Sequence, residues 1–459
     1  EPMRDWRHAD RWLMGEAWTG STIPRHATQL CEVIGPRWAS STAERQCAEY
    51  LRAQLSSFGL TAQLQEFSLR TWGHGKIDAR LLPEAIPIDL VPAIGCPPFK
   101  VHASIVDVGF GTPYEVAACD RGLQGAVAIM DLAYQPFTEP VPMPYRLRDL
   151  AARGAAAALM IDSKSGGRTE LRWAHDMRED GFREPPLPTA TISREQGALL
   201  RRRIGDMLEI KVETESTQAP TANVCAELAG DQWPQEHLVI GAHHDTVYGT
   251  PGGNDNASGV CVVLETARLL AELCDSTERA PGRSIRFVTF SAEEQSLQGS
   301  TAFVAANYAE ASAPRPRLVV NLDELSTGHL KGLVLAFPHL RPLVQEQFDD
   351  MGENLACHVM AQLDGTSDHF PFIRAGIDAA HLWRWRFGGR HADADFHHEA
   401  ADTLDKIKVR ELKEYAGQMA RLLLRLADVP PPRWPSNDLT GDDIRLRLER
   451  ERDTVVRVS

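Results

Sequence analysis

EHLVIGAHHDTVYGTPGGNDNASGVCVVLETARLLAELC, residues 236 to 274, passes from an apolar run through a glycine-rich loop into a long periodic segment. The first part reads as a strand ending in His243, His244 and Asp245. The last part, from Ser258, predicts a helix, with Val260, Val263, Leu264, Ala267, Leu270 and Ala271 on one face. The rhythm repeats downstream. "SIRFVTFSAEE" (284–294) and "RLVVNLDE" (317–324) read as strands, each ending in acids, and "VRELKEYAGQMARLLLRLADV" (409–429) as a helix with Val409, Leu412, Ala416, Met419, Leu423 and Leu426 in phase. Strands alternating with helices imply a mostly parallel central sheet flanked by helices, an α/β fold.

Working outward, "STAE" at 41–44 has the spacing of a capping box and opens a helix carrying Ala43, Cys47, Tyr50, Leu51 and Leu55. "FGLTAQLQEFSL" (58–69) follows as turn and strand. Between 85 and 217 the texture changes to short strands such as "ASIVDVGFG" and "GAVAIMD", which read as a self-contained β-rich insert. The expected organisation is 1–84 as the N-terminal part of the α/β domain, 85–217 as the insert, 218–428 as its main part, and 429–459 as a charged tail that could carry one helix.

The 459 residues carry a net charge of -14, which argues against nucleic acid or an anionic membrane as a main partner. No run of roughly eighteen apolar residues is present, so no membrane-spanning helix is expected. The chain starts at Glu1, so a trimmed N-terminus is expected and compartment stays open. The eight cysteines are scattered without a C-x-x-C, which suits reduced thiols better than a disulfide framework. Oligomeric state is not legible.

His243, His244 and Asp245 end one expected strand, Glu293 and Glu294 a second, and Asp323 and Glu324 a third. Ligands of open α/β sheets bind outside the carboxyl ends of the strands, so these groups converge. "DFHHEAADT" (395–403) adds His397 and His398. Packed carboxylates repel and raise one another's pKa, and a bound cation relieves this. Histidine with carboxylates and no cysteine suits zinc, with cobalt or manganese as substitutes. The set is large enough for two ions, which at about 3.5–4 Å separation can clamp a water and a carbonyl oxygen together. Strand alternation turns His243 and Asp245 the same way and His244 the other. His243 is therefore expected to ligate, Asp245 to orient it, and His244 to pack.

Taken together, "GAHHDTV", "GGNDNASG", "FSAEEQSLQGS", "NLDE", "GTSDHFPF" and "HHEAADTLDKI" resemble the dinuclear zinc exopeptidases, the family of bacterial and vacuolar aminopeptidases and glutamate carboxypeptidases. The opening helix is similar too, and the insert resembles a protease-associated domain. The resemblance implies that His243 and Asp323 bind one zinc, Glu294 and His398 the other, and that Asp255 bridges them. It implies Glu293 as general base, passing a proton from water to the leaving amine. The chain departs from the family pattern at His397, where many relatives have a tyrosine that helps hold the oxyanion, and at Glu399, Ala400, Ser296 and Glu324. "SDH" at 367–369 cannot form a serine triad from adjacent residues, and the resemblance makes Asp368 part of a loop beside the pocket.

The cleaved bond is less legible. Arg384 and Arg386 lie two apart in "HLWRWRFGGRHADADFHH" and either recognise a substrate carboxylate or pair with Asp393 and Asp395. Trp383 and Trp385 are candidates for an apolar wall. The expected substrate is a peptide or small amide, and the first reading is an aminopeptidase. The second is a carboxypeptidase or an amidase acting on N-acylated amino acids. A metal-free receptor-like binding protein is a third, disfavoured because all five ligand positions and the base are present.

Overall fold

The computed structural model describes residues 4–137, 141–174, 181–310, 312–327, 330–382, 395–437 and 439–450. The chain divides into two compact units, one of residues 1–69, 220–386 and 400–458, the other mainly of 70–219 with 387–399.

In the first unit, strand Trp233–His243 lies between Val319–Asn321 and Arg283–Phe290 and runs parallel to both. Val319–Asn321 pairs in parallel with Ala379–Leu382, which pairs antiparallel with Gly332–Leu335; the latter runs parallel to His358–Ala361. On the other side, Arg283–Phe290 pairs antiparallel with residues 224–228. The register sets Phe290 opposite His243 and Asn321 opposite Gly241. The ends that carry His243, Glu293 and Asp323 are therefore level, which is what the fold contributes to the site.

Helix Gly259–Thr277 is buried on nearly every side, including Arg268 and Glu265, rather than along the single expected face. Helices Trp6–Thr19 and Val409–Asp428 pack against it and cover the side that periodicity leaves to solvent. Val409–Asp428 is likewise buried all round over its second half, where Arg421 and Arg425 meet Asp10 of the N-terminal helix at 3.0 and 2.7 Å. Helix Thr42–Ser57 starts as expected, with the Ser41 hydroxyl accepting from the Glu44 N–H at 3.1 Å. The Glu44 carboxylate does not close the box on Ser41. It accepts from the Thr221 hydroxyl at 2.9 Å and lies 2.8 Å from His244 Nε2.

The second unit is also built on paired strands. Residues 207–212 pair antiparallel with 99–104, then residues 105–107, 127–131, 157–161 and 189–192 follow in parallel, and Leu90–Pro92 closes the edge antiparallel. Successive residues of a strand face opposite sides, and here both sides are buried. Val127, Ile129, Leu159 and Ile161 enter one core with Leu200. Ala128, Met130, Ala158 and Met160 enter another with Leu147 and Leu150 of helix Met143–Ala152. The unit thus carries helices on its sheet as well as strands.

All eight cysteines are free thiols. No helix among the described residues is long and apolar enough to cross a membrane.

Candidate metal centre

His243 ends its strand almost fully buried. Its Nε2 lies 3.1 Å from Asp255 Oδ1, 3.4 Å from Asp323 Oδ1 and 3.9 Å from Glu293 Oε2. His243, Asp255 and Glu294 each offer a donor atom within 4.8 Å of the others, and so do His243, Glu293 and Asp323. All five side chains are buried.

Each acid is aimed by backbone bonds from elsewhere. The Asp245 carboxylate accepts from the Glu293 and Glu294 N–H groups, both at 3.2 Å, and so holds the sharp turn after the second strand. Its relation to His243 differs from the expected one: His243 Nδ1 is 3.1 Å from the Asp245 carbonyl oxygen and 3.5 Å from the carboxylate. The carbonyl fixes the tautomer, and the carboxylate positions the two glutamates.

Asp255 sits in the turn Gly253–Ser258 ahead of the buried helix. Asp402 accepts from the Asn254 N–H at 2.7 Å and the Asp255 N–H at 2.9 Å. Asn256 accepts from the Gly259 N–H at 3.0 Å and donates to the Leu322 carbonyl at 2.8 Å. Asn254 Oδ1 accepts from the Ser326 N–H, and the Ser258 hydroxyl oxygen from the Leu325 N–H, each at 2.9 Å. The Asp255 turn and the loop after Asp323 are thus laced together. Arg37, fully buried, donates to the carbonyls of His244 and Pro251 at 2.9 and 2.8 Å, bracketing the same loop. Sequence reading passed over Asp402, Arg37 and Glu44 as partners of the site. Only the "ADT" spacing hinted at Asp402.

Burial drives the Glu293 carboxyl well above the usual carboxylate range; His243 opposes this, while Glu294, Asp323 and Asp368 add to it. Burial would lower His243, but Glu293, Asp245, Asp255 and Asp323 hold it well above the ordinary imidazole value. Without a cation the cluster retains protons. A buried imidazole ringed by carboxylates, with no thiolate, is a hard-to-borderline donor set that fits zinc.

Asp368, expected beside the pocket, interacts with the charges of His243, Glu293 and Asp323. It is wholly buried, and its carboxyl is pushed up to about 8 by burial, opposed by His243 and the Ser300 hydroxyl, with Asp245 and Asp323 adding to the rise. Ser367 and His369 line the pocket. His397 and His398 lie in the second unit, their rings stacked at 3.6 Å. His398 Nδ1 is 2.9 Å from the Leu171 carbonyl, and with His397 it offers donor atoms within 4.8 Å of a Glu170 carboxylate oxygen. Arg384, Arg386, Trp383, Trp385 and Asp393 lie outside the described residues.

Residues 223–423 match the model of peptidase family M28. This segment belongs to that family. Aminopeptidase YwaD of Bacillus subtilis is 25% identical over 399 residues, 84% of this chain and 80% of its own length. Carboxypeptidase Q of Bos taurus is 23% identical over 87% of this chain and 84% of its own. Among solved structures, the Peptidase M28 precursor of Shewanella amazonensis has a TM-score of 0.75 at 21% identity, covering 95% of this chain and 99% of that one. A zinc aminopeptidase from Bacillus subtilis has a TM-score of 0.69 at 21% identity, covering 92% and 98%. The chain, which carries an M28 segment, is a metal-dependent peptide hydrolase, and the structural likenesses bear out its α/β fold.

Proposed function

We propose that this M28 chain is an aminopeptidase that uses two zinc ions, with His243 and Asp323 on one, Glu294 and His398 on the other, and Asp255 between them. The observation that carries the reading is the buried His243 imidazole within 3.4 Å of both Asp255 and Asp323, with Glu293 and Glu294 aimed by one carboxylate. The Leu171 carbonyl at His398 Nδ1 supports His398 as a ligand, because it directs the lone pair to Nε2. Bound zinc supplies Lewis acidity to a scissile carbonyl and acidity to an attacking water.

The residues do the rest. Glu293, whose proton affinity is raised by burial, takes a proton from water and returns it to the departing amine. Asp245 holds Glu293 and Glu294 apart in direction, so that one carboxylate ligates while its neighbour moves the proton. The segment 85–217, with cores of its own, is read as a protease-associated-like module.

Glu293→Gln should retain zinc and lower kcat by roughly 100- to 10,000-fold. Retained turnover would remove Glu293 from the base role. The reading as a whole is tested with peptides offered free, N-acetylated and C-amidated to the zinc-loaded protein, products being read by mass spectrometry. Loss of N-terminal residues that acetylation blocks is the expected result. The similarity to Carboxypeptidase Q over most of both chains favours a second reading, cleavage next to a free carboxylate. Amidation would then block cleavage, Arg384 and Arg386 becoming the candidate anchors.

A further inference from the structure

We propose that Asp364, His369 and His381 form a separate site for a divalent transition-metal ion of the zinc class. None of the three belongs to the set around His243. They come from the loop ahead of helix Phe370–Arg374, from that helix's N-cap, and from strand Ala379–Leu382.

Each residue offers a donor atom within 4.8 Å of the other two. Asp364 Oδ2 is 2.8 Å from His381 Nε2 and 3.7 Å from His369 Nε2. Zinc–nitrogen and zinc–oxygen bonds of about 2.0–2.2 Å set tetrahedral donors about 3.4 Å apart, between these two values. The two distances bracket those around His243, at 3.1 and 3.4 Å. The Asp364 and His369 side chains are only 4% and 2% exposed. By contrast, His339 and Asp378, 23% and 13% exposed, make a pair at 3.0 Å that forms no such three-residue group among the described residues.

The tautomer adds a second argument. His381 Nδ1 lies 3.1 Å from the Leu382 carbonyl oxygen, so its hydrogen belongs there. With the hydrogen on Nδ1, the Nε2 lone pair faces the carboxylate oxygen of Asp364. In that tautomer two lone pairs would meet at 2.8 Å, and a cation between them would convert the repulsion into two bonds; without a cation, burial would raise the Asp364 carboxyl, but His381 and His369 beside it hold it below the usual carboxylate range. Asp364 is held for this by Thr366, whose N–H donates to Oδ1 at 2.9 Å and whose hydroxyl donates to Oδ2 at 3.0 Å. Two histidines and one carboxylate suit zinc or ferrous iron and leave coordination positions for an exchangeable ligand. Both imidazoles line a small pocket shared with Asn321 and Asp323.

The proposal does not depend on how many ions the His243 group holds. The test is metal counting by elemental analysis and native mass spectrometry, after loading with zinc and exhaustive dialysis. The wild-type chain is compared with H369A/H381A and with H243A. The expected result is that H369A/H381A carries one ion fewer per chain than wild type, while H243A keeps that ion. An unchanged count in H369A/H381A overturns the site. Should that variant fail to fold, anomalous scattering at the zinc edge from wild-type crystals decides instead. A peak within bonding distance of Asp364 Oδ2, His369 Nε2 and His381 Nε2 is expected. Its absence under saturating zinc overturns the proposal.

Discussion

At the residue scale, His243 shows how burial and charge set the terms for a metal. Burial would lower its pKa, but the surrounding carboxylates hold it well above the ordinary value, so the metal-free centre favours a proton on the imidazole. A zinc ion must displace that proton, and protons compete more strongly as pH falls. Zinc affinity is therefore expected to rise with pH, about tenfold per unit for one displaced proton while pH stays below the folded pKa. Competition titration with a chromophoric chelator at pH 6 and pH 8 measures this. Equal affinities at the two values would mean that His243 carries no such proton. The same scale separates what side-chain alternation can do from what it cannot. It pairs His243 with Asp245 correctly as neighbours, but it cannot see that the carbonyl of Asp245 meets the ring while the carboxylate turns to Glu293 and Glu294. Those N–H donors lie 48 and 49 residues away in sequence.

At the element scale, the strand ends were legible because apolar runs stop at acids and histidines, and strand register does the convergence. The loops were not. The turn carrying Asp255 is held by Asp402, 147 residues downstream, through two N–H groups. Asp402→Ala leaves those groups without their acceptor and should cost about 2–3 kcal/mol in stability along with most of the zinc affinity. Denaturant unfolding with and without zinc reads both, and a variant that unfolds and binds like wild type would deny Asp402 this role. Helices Ile23–Thr28 and Thr42–Ser57 meet through His26 and Tyr50, with Nδ1 2.6 Å from the hydroxyl. Burial lowers His26 to about 4, below an unfolded value near 6.5. The unfolded chain then binds more protons between those values. His26 accordingly contributes stability that is present above pH 6.5 and lost as pH falls to about 4, on the order of 3 kcal/mol. His26→Gln should flatten that part of the stability–pH curve, measured by urea unfolding from pH 7 to pH 4. An unaltered slope would place the titration elsewhere.

At the scale of the whole molecule, eight thiols are distributed over both units and none is paired. Burial raises most of them, Cys31 to about 11 and Cys47 to about 12, so thiolate is scarce at neutral pH. Dithiothreitol should leave Tm unchanged, and a thiol reagent should titrate few cysteines natively and all eight in denaturant. A drop in Tm on reduction would reveal a disulfide. The large core also explains why helix periodicity understated burial. In a chain of this length, a helix such as Gly259–Thr277 is covered by further helices, and its polar Arg268 and Glu265 pair with each other at 2.8 Å rather than with water.

The sequence by itself determined the α/β alternation, the strand ends where His243, Glu293, Glu294 and Asp323 fall, and the donor chemistry that suits zinc. These follow from local periodicity and from residue type, which a linear reading contains. Tertiary structure alone decided that Asp245 carries the glutamate turn, that Asp402 and Arg37 hold the loop of Asp255, that Asp368 is buried, and that Asp364, His369 and His381 meet. Each of these depends on hydrogen bonds or donor distances set by the packing of separate segments, and no periodicity in the chain records which loops will touch.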